Sequence, residues 1–325
     1  MTPPSGGTQS VKHRRRQPGK HVSIRTARPP GAAPVYVGAD VGGTWIRVAT
    51  IRSGRVATET IRADRDLRKL AARLQPVWRR HGWSRRRVEV LVVASRGLWT
   101  ARERRTLARS LRELARRVEV ISDAQAALLG AIGNRPGVLV LSGTGSILVG
   151  YDGDGRWARA GGLGPLVGDE GSGFWLGREW LRSRAQHGSL SSTLRLVHAA
   201  DPIAAIAALA PTVLARARRG DLVARRLVRD GQRHLAASIR QVARGLALRA
   251  PIDASWAGSV LGNRWFRTGV MRATARAGLR ARWHAPAEAP VAAAARLAET
   301  LARRGAGRWL SRGRGPASRG SDTHR

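Results

Sequence analysis

Three stretches of this chain combine glycine, hydroxyl and carboxylate side chains in patterns that suit phosphate chemistry. In Asp40-Val41-Gly42-Gly43-Thr44 an apolar run ends in a carboxylate and a glycine turn, so a phosphate can approach the backbone while the acid faces the same space. A carboxylate beside a phosphate suits Mg²⁺, which takes oxygen ligands and keeps several waters. In Ser142-Gly143-Thr144-Gly145-Ser146 the hydroxyls and glycines again follow an apolar run, and a turn of donated N–H and O–H groups can surround an anion. Either stretch alone is also an ordinary hairpin. Two of them, one in each half of the chain, can hold a polyphosphate from both sides, which a hairpin by itself does not explain.

The third stretch, Gly161 to Gly173, reads GGLGPLVGDEGSG and ends in two acids just before a helical pattern. Asp169 or Ser172 would serve as a helix cap, but a cap needs one small polar residue and not this density of glycine, so a substrate loop is expected. Asp123 follows an apolar run and starts another helical pattern. It reads equally as part of a Ser122-Asp123 cap or as a general base, because a carboxylate at a strand's C-terminal end projects into the crevice where open α/β sheets bind ligands. A further turn, Trp256-Ala257-Gly258-Ser259-Val260-Leu261-Gly262-Asn263, offers small residues at a helix entrance, where an adenine or ribose can lie against the backbone.

The elements that must position these residues alternate short apolar runs with amphipathic stretches, the pattern of an α/β protein. Strands are expected at 35–38, 45–51, 55–61, 88–94 and 118–121, with helices over 67–80, 101–116 and 124–132. A hinge is expected at 133–137. The second half repeats the order: strands at 138–141, 147–151 and 156–160, then helices over 173–184, 191–199, 203–218 and 222–248, a strand at 254–257, a helix over 265–277, a strand at 279–283 and a closing helix over 287–304. Thr44 precedes Arg55 across a strand and turn much as Thr144 precedes Arg156, so the unit of strand, Gly/Thr turn, strand, turn, strand reads as duplicated.

Composition narrows the chemistry. The 325 residues hold 42% hydrophobic residues, enough for two domains with real cores. With no Cys there are no disulfides, thiolate zinc sites, Cys-held iron–sulfur clusters or Cys nucleophiles. The 8 His have no ligand spacing, and the 11 Trp give no stacking pattern for bases. A formal charge of +38 attracts polyanions, yet an Arg-rich and Lys-poor surface is more simply a GC-biased genome filling solvated faces, so nucleic acid is not expected as a partner. Segments 1–34 and 305–325 mix Pro, Gly, Ser and basic residues with no hydrophobic period and read as disordered basic tails. No long apolar run or apolar leader appears, so a cytoplasmic protein without a membrane span is expected.

Taken in order, GADVGGTWIR, ISDAQAALLGA, LVLSGTGSILVG, GGLGPLVGDEGSGFWLG and WAGSVLGN resemble the phosphate, base, second phosphate, substrate and adenosine motifs of the N-acetylglucosamine kinase and BadF/BadG/BcrA/BcrD ATPase-like family. That family belongs to the actin, hexokinase and Hsp70-like superfamily. The resemblance covers roughly 35–302. It implies a duplicated ribonuclease-H-like fold, with domains at 35–135 and 136–304 and Mg-ATP in the cleft between them. By that similarity Asp40 sits near Mg²⁺, and Gly42, Gly43 and Thr44 line one side of the phosphates. Gly143, Thr144, Gly145 and Ser146 line the other side, and Gly258 and Asn263 border the adenosine. Asp123 is the catalytic base, while Gly162, Gly164, Asp169 and Glu170 border the substrate. The implied reaction is ATP-dependent phosphorylation of a small hydroxyl compound, an amino sugar such as N-acetylglucosamine or glucosamine, by an enzyme that is compatible with a homodimer. The other activity in the family, an ATPase that drives a partner protein, uses a Cys-held iron–sulfur cluster, so here it would have to run without one. Residues 55–66 contain no Asn where the sugar kinases usually offer one, and Ser95-Arg96-Gly97-Leu98-Trp99 replaces an expected small-residue turn. Arg96, at a strand end, is therefore a candidate contact for an anionic substrate.

Overall fold

The computed structural model describes residues 33–303 except 53, 65, 99 and 186–189. Apart from 33 and 34, the expected basic tails lie outside the described residues. The first lobe runs β1 (Val35–Val41), β2 (Trp45–Arg52), β3 (Arg55–Arg62), α1 (Leu70–Arg80), β4 (Val88–Ser95), α2 (Ala101–Ser110), β5 (Arg117–Ser122) and α3 (Asp123–Ile132). The second runs β6 (Gly137–Ser142), β7 (Ser146–Tyr151), β8 (Trp157–Gly161), α4 (Gly173–Ala185), α5 (Leu190–Val197), α6 (Pro202–Ala207), α7 (Ala210–Arg218) and α8 (Leu222–Gly245). It ends with β9 (Ile252–Ala257), α9 (Ser259–Gly262), α10 (Arg264–Arg276), β10 (Ala281–His284) and α11 (Pro290–Arg303).

The two sheets have the same topology. The first is ordered β3-β2-β1-β4-β5 and the second β8-β7-β6-β9-β10. In each, the first three strands form an antiparallel meander and the last two join parallel to the first. The duplication expected from the glycine and hydroxyl hairpins is thus a duplication of the whole sheet. Parallel strands need helical crossovers that cover both faces, and β4 is accordingly buried along nearly all of Val88–Ser95.

The helices distribute over both sheets. Leu74, Val77 and Trp78 of α1 with Leu107 of α2 pack under the first sheet, and Leu235, Ile239 and Val242 of α8 pack under the second. The α3 helix is the joint between lobes. Its Ala126 and Leu129 enter a cluster with Val90, Val92 and Ala94 of β4, whereas Ala124, Leu128 and Ile132 pack on Leu139 of β6 and Val149 and Tyr151 of β7. The last helix, α11, returns to the first sheet, with Ala294, Leu297 and Ala298 against Val90, Val92 and Ala94. No described helix is long and apolar enough to cross a membrane.

Two expected helices depart most from expectation. The one expected over 203–218 divides at 208–209, because Pro211 stands in the first turn of α7 and cannot continue a preceding helix. The one expected over 101–116 stops at Ser110, since Leu111, Leu114 and Ala115 turn inward to join the core under the first sheet.

Candidate active site

Asp40 lies one residue before the end of β1, directly across from Arg47 on β2, and its Oδ2 is 3.5 Å from the Arg47 Nη1. Burial raises its carboxyl above the ordinary value. Arg47 opposes that shift, and the nearby carboxylate of Asp123 adds to it. Asp40 and Asp123 therefore share one electrostatic environment. Topology supplies the reason: Asp40 pairs with Ala94 on β4, and Ala94 pairs with Ile121 on β5, two residues before Asp123. Both acids stand where parallel strands end, at the open crevice of the sheet.

The cap of α3 is made by the residue before Asp123. Ser122 is the cap of α3: its Oγ accepts from the Gln125 N–H, and the Gln125 side chain accepts from the Ser122 N–H, a complete capping box. Asp123 is left as the first helical residue, half-buried, with Oδ1 accepting from the Ala124 N–H at 2.8 Å. Its Oδ2 has no role in the cap.

The two glycine hairpins occupy the same position in their sheets, each joining the first strand to the second. In both, the threonine is exposed, at Thr44 and at Thr144. Gly42 N–H donates to the Trp45 carbonyl, and Gly143 N–H donates to the Gly145 carbonyl. A side chain at Gly43 would collide with the guanidinium of Arg96, which comes over the first hairpin from the end of β4. Arg96 makes no ion pair with a described carboxylate.

The second hairpin is tied to the glycine loop that follows β8. Ser142 Oγ donates to the Gly171 carbonyl at 2.8 Å, and Ser146 Oγ donates to the Glu170 carbonyl at 2.9 Å. Gly173 and Phe174 N–H groups donate back to the Gly143 and Thr144 carbonyls, and Gly162 N–H donates to the Ser146 carbonyl. Asp169 is buried in the left-handed region, φ 62°, against Gly145. Burial raises its carboxyl above the ordinary value, partly offset by the backbone N–H groups of Ser146 and Gly164 that it accepts. The expected substrate loop is thus welded to the expected phosphate hairpin. Ser172, not Asp169, caps α4, accepting from the Trp175 N–H.

Gly258, at φ 92°, meets the same hairpin from β9. Any side chain there would strike the carbonyl of Ser142, so the two backbones touch. Ser259 and Asn263 then border a cavity of about 330 Å³ whose other walls include Gly143, Thr144, Ala207 and Pro211. Asn263 accepts from the Phe266 N–H and so also caps α10. Thus Gly143, Thr144, Gly145, Ser146, Gly162, Gly164, Asp169, Glu170, Gly258 and Asn263 form one cluster in the second lobe. Asp40, Gly42, Gly43, Thr44, Arg96 and Asp123 form another in the first. Three contributors gave no signal in the sequence. Arg47 is one surface arginine among many, and Ala207 and Pro211 carry no chemistry of their own.

The carboxylate of Asp40 suits a hard cation, and the Asp123 charge adds to the upward shift at Asp40. No group of three or more His, Cys, Asp or Glu among the described residues forms an all-protein metal cage. Mg²⁺ typically takes one or two carboxylates and draws its other ligands from phosphates and water.

Two sheets of one topology, each with a glycine hairpin after its first strand, define the duplicated two-domain fold of the actin-like ATPases and sugar kinases. The profile of the BadF/BadG/BcrA/BcrD ATPase family matches residues 37–294. The chain belongs to that family. An N-acetylmuramic acid/N-acetylglucosamine kinase of Clostridium acetobutylicum is 32% identical over an alignment of 169 residues, covering 45% of this chain and 55% of the relative. The match therefore spans about half the length of that curated relative. A provisionally named N-acetylglucosamine kinase of Chromobacterium violaceum, solved as a crystal structure, superposes with a TM-score of 0.60 at 24% identity, over 82% of this chain and 99% of that one. A glucokinase of Streptomyces griseus, solved with glucose and AMPPNP, gives 0.50 at 18% identity over 82% and 99% of the two chains. Both likenesses establish the fold.

Proposed function

We propose that this protein is an ATP-dependent kinase of a small hydroxyl compound, and that the acceptor is an amino sugar such as N-acetylglucosamine or glucosamine. The observation that carries the reading is the place of Asp123: the Ser122–Gln125 pair caps α3, Asp123 engages only the Ala124 N–H through Oδ1, and it stands at the end of β5 on the same edge of the sheet as Asp40 at the end of β1. The Clostridium relative, a kinase of N-acetylmuramic acid and N-acetylglucosamine, supports the choice of acceptor.

In this reading the lobes 35–135 and 136–304, meeting at 133–137, close over the nucleotide. The adenosine takes the cavity beside Gly258 and Asn263, and the phosphates lie between Gly143–Ser146 and Gly42–Thr44. Asp40 would hold Mg²⁺, which would neutralise phosphate charge. Asp123 accepts the proton of the acceptor hydroxyl as that oxygen bonds to the γ-phosphorus and the bond to the bridging oxygen of ADP breaks. Phosphoryl transfer asks for this kind of positioning and charge balance more than for covalent chemistry by the protein. Gly162, Gly164, Asp169 and Glu170 border the acceptor, where Leu163, Leu166 and Val167 stand exposed on the glycine loop and offer apolar cover against water.

A coupled ADP-release screen over amino sugars, anhydro sugars and polyols tests the reading. ADP release that rises severalfold with N-acetylglucosamine or glucosamine is expected. An equal rate with and without every acceptor would overturn it in favour of an ATPase acting on a protein partner.

A further inference from the structure

Beyond the kinase cleft, the second lobe carries a concavity of about 590 Å³ walled by Arg218, Arg229, Arg264, Trp265, Arg272 and Arg276. One wall is a stripe on α10, where Arg264, Thr268, Arg272 and Arg276 recur every fourth residue. The opposite wall is Arg218 at the end of α7 and Arg229 on α8. Gln232 forms part of the floor and donates to the Phe266 carbonyl, which fixes α8 against α10 at this level.

None of these five arginines makes an ion pair with a described carboxylate, and no acid lines the concavity. Other arginine-lined hollows differ. In the one bounded by Arg105, Arg109, Arg112 and Arg116, Arg112 pairs with Glu113 and Arg116 with Glu89. The hollow holding Arg156, Arg249 and Arg282 also holds Asp152, Asp154 and Asp253. Like charges four apart on a helix, such as Arg272 and Arg276, oppose helix formation, and no described carboxylate pairs with them. Guanidinium groups gathered around one hollow instead match the oxygens of phosphate groups.

We propose that this concavity is a binding site for a small anion bearing several phosphate groups, separate from the catalytic cleft. Its walls face one another across a hollow of ligand size, which favours a compact polyphosphate over an extended nucleic acid. Asn263 lines both this concavity and the adenosine cavity, so a bound anion would lie next to the nucleotide. The inference does not depend on the kinase reading.

The test is calorimetric titration of the full chain with inorganic tripolyphosphate. Binding is expected to weaken about tenfold or more in the double variant Arg272→Gln/Arg276→Gln. It is expected to stay within about twofold in Arg105→Gln/Arg109→Gln, the charge-matched control on another face. It should also survive in Thr144→Val, which alters the proposed triphosphate hairpin. These arginines are exposed, so the fold is expected to survive, and circular dichroism checks this. An equal loss in both double variants would overturn the site in favour of a diffuse field. Loss in Thr144→Val alone would reassign the anion to the cleft. Affinity for single-stranded DNA that exceeds tripolyphosphate and climbs from about 10 to about 30 nucleotides would mark the patch as a nucleic-acid surface instead.

Discussion

Gly145→Ala isolates the weld between phosphate hairpin and glycine loop. Gly145 has an ordinary negative-φ backbone that alanine can adopt, so any cost comes from what the new methyl meets. An ideal Cβ there would lie 2.6 Å from Asp169 Oδ2 and 3.2 Å from its Cγ. The carboxylate must move, and in moving it releases the Ser146 and Gly164 N–H groups it accepts. Ser146 is buried and Gly164 only half-buried, so the loss is that of about one buried donor, about 1–3 kcal/mol, against a typical stability of about 5–15 kcal/mol. Denaturant unfolding reads the whole, and amide hydrogen exchange reads the two N–H groups, with about tenfold to a hundredfold loss of protection at buried Ser146 and a smaller loss at Gly164. A double-mutant cycle with Asp169→Gly, which fits φ 62° and removes the carboxylate, should leave the alanine nearly neutral. A cost that is the same in both backgrounds, or protection unchanged at both amides, would refute the weld.

Three further outcomes follow from the site. Ser122→Ala should cost about 0.5–2 kcal/mol by removing the α3 cap, whereas Asp123→Asn should cost less in stability, and the reverse order in chemical unfolding would return Asp123 to a capping role. Asp169 holds its proton more readily in the folded state than in the unfolded chain, so it stabilises most at acid pH and loses that contribution as pH rises through the window between its ordinary and raised values. Unfolding of wild type and Asp169→Asn across that window should show the wild type gaining relative to the variant toward acid, and a flat difference would contradict it. Arg96→Ala should raise the acceptor KM about tenfold for an acceptor carrying a carboxylate, and steady-state kinetics with unchanged KM for every acceptor would remove Arg96 from the substrate site.

The repeated sheet was legible because its marks are local: a strand, a turn rich in glycine and threonine, a strand, spaced alike in each half. The candidate turns were legible for the same reason, and at Gly43, Gly145 and Gly258 a side chain would strike a neighbouring group. What was not legible depends on distant packing. Leu111, Leu114 and Ala115 continue a helical period in the sequence, yet burial under the first sheet turns them out of it. The return of α11 to the first sheet has no sequence mark, because its alanine-rich face would suit either lobe. Ser172 and Asn263 are caps as well as neighbours of the site, and a sequence motif cannot divide one residue between two roles.

The most direct test of the whole account compares ADP release by wild type and Asp123→Asn with N-acetylglucosamine as acceptor, alongside calorimetric binding of Mg-ATP. The account predicts acceptor-dependent turnover that falls about 10²–10⁴-fold in the variant, the usual worth of a general base, while nucleotide affinity stays within about threefold. Turnover that survives in Asp123→Asn, or no heat of binding with Mg-ATP in the wild type, would contradict it.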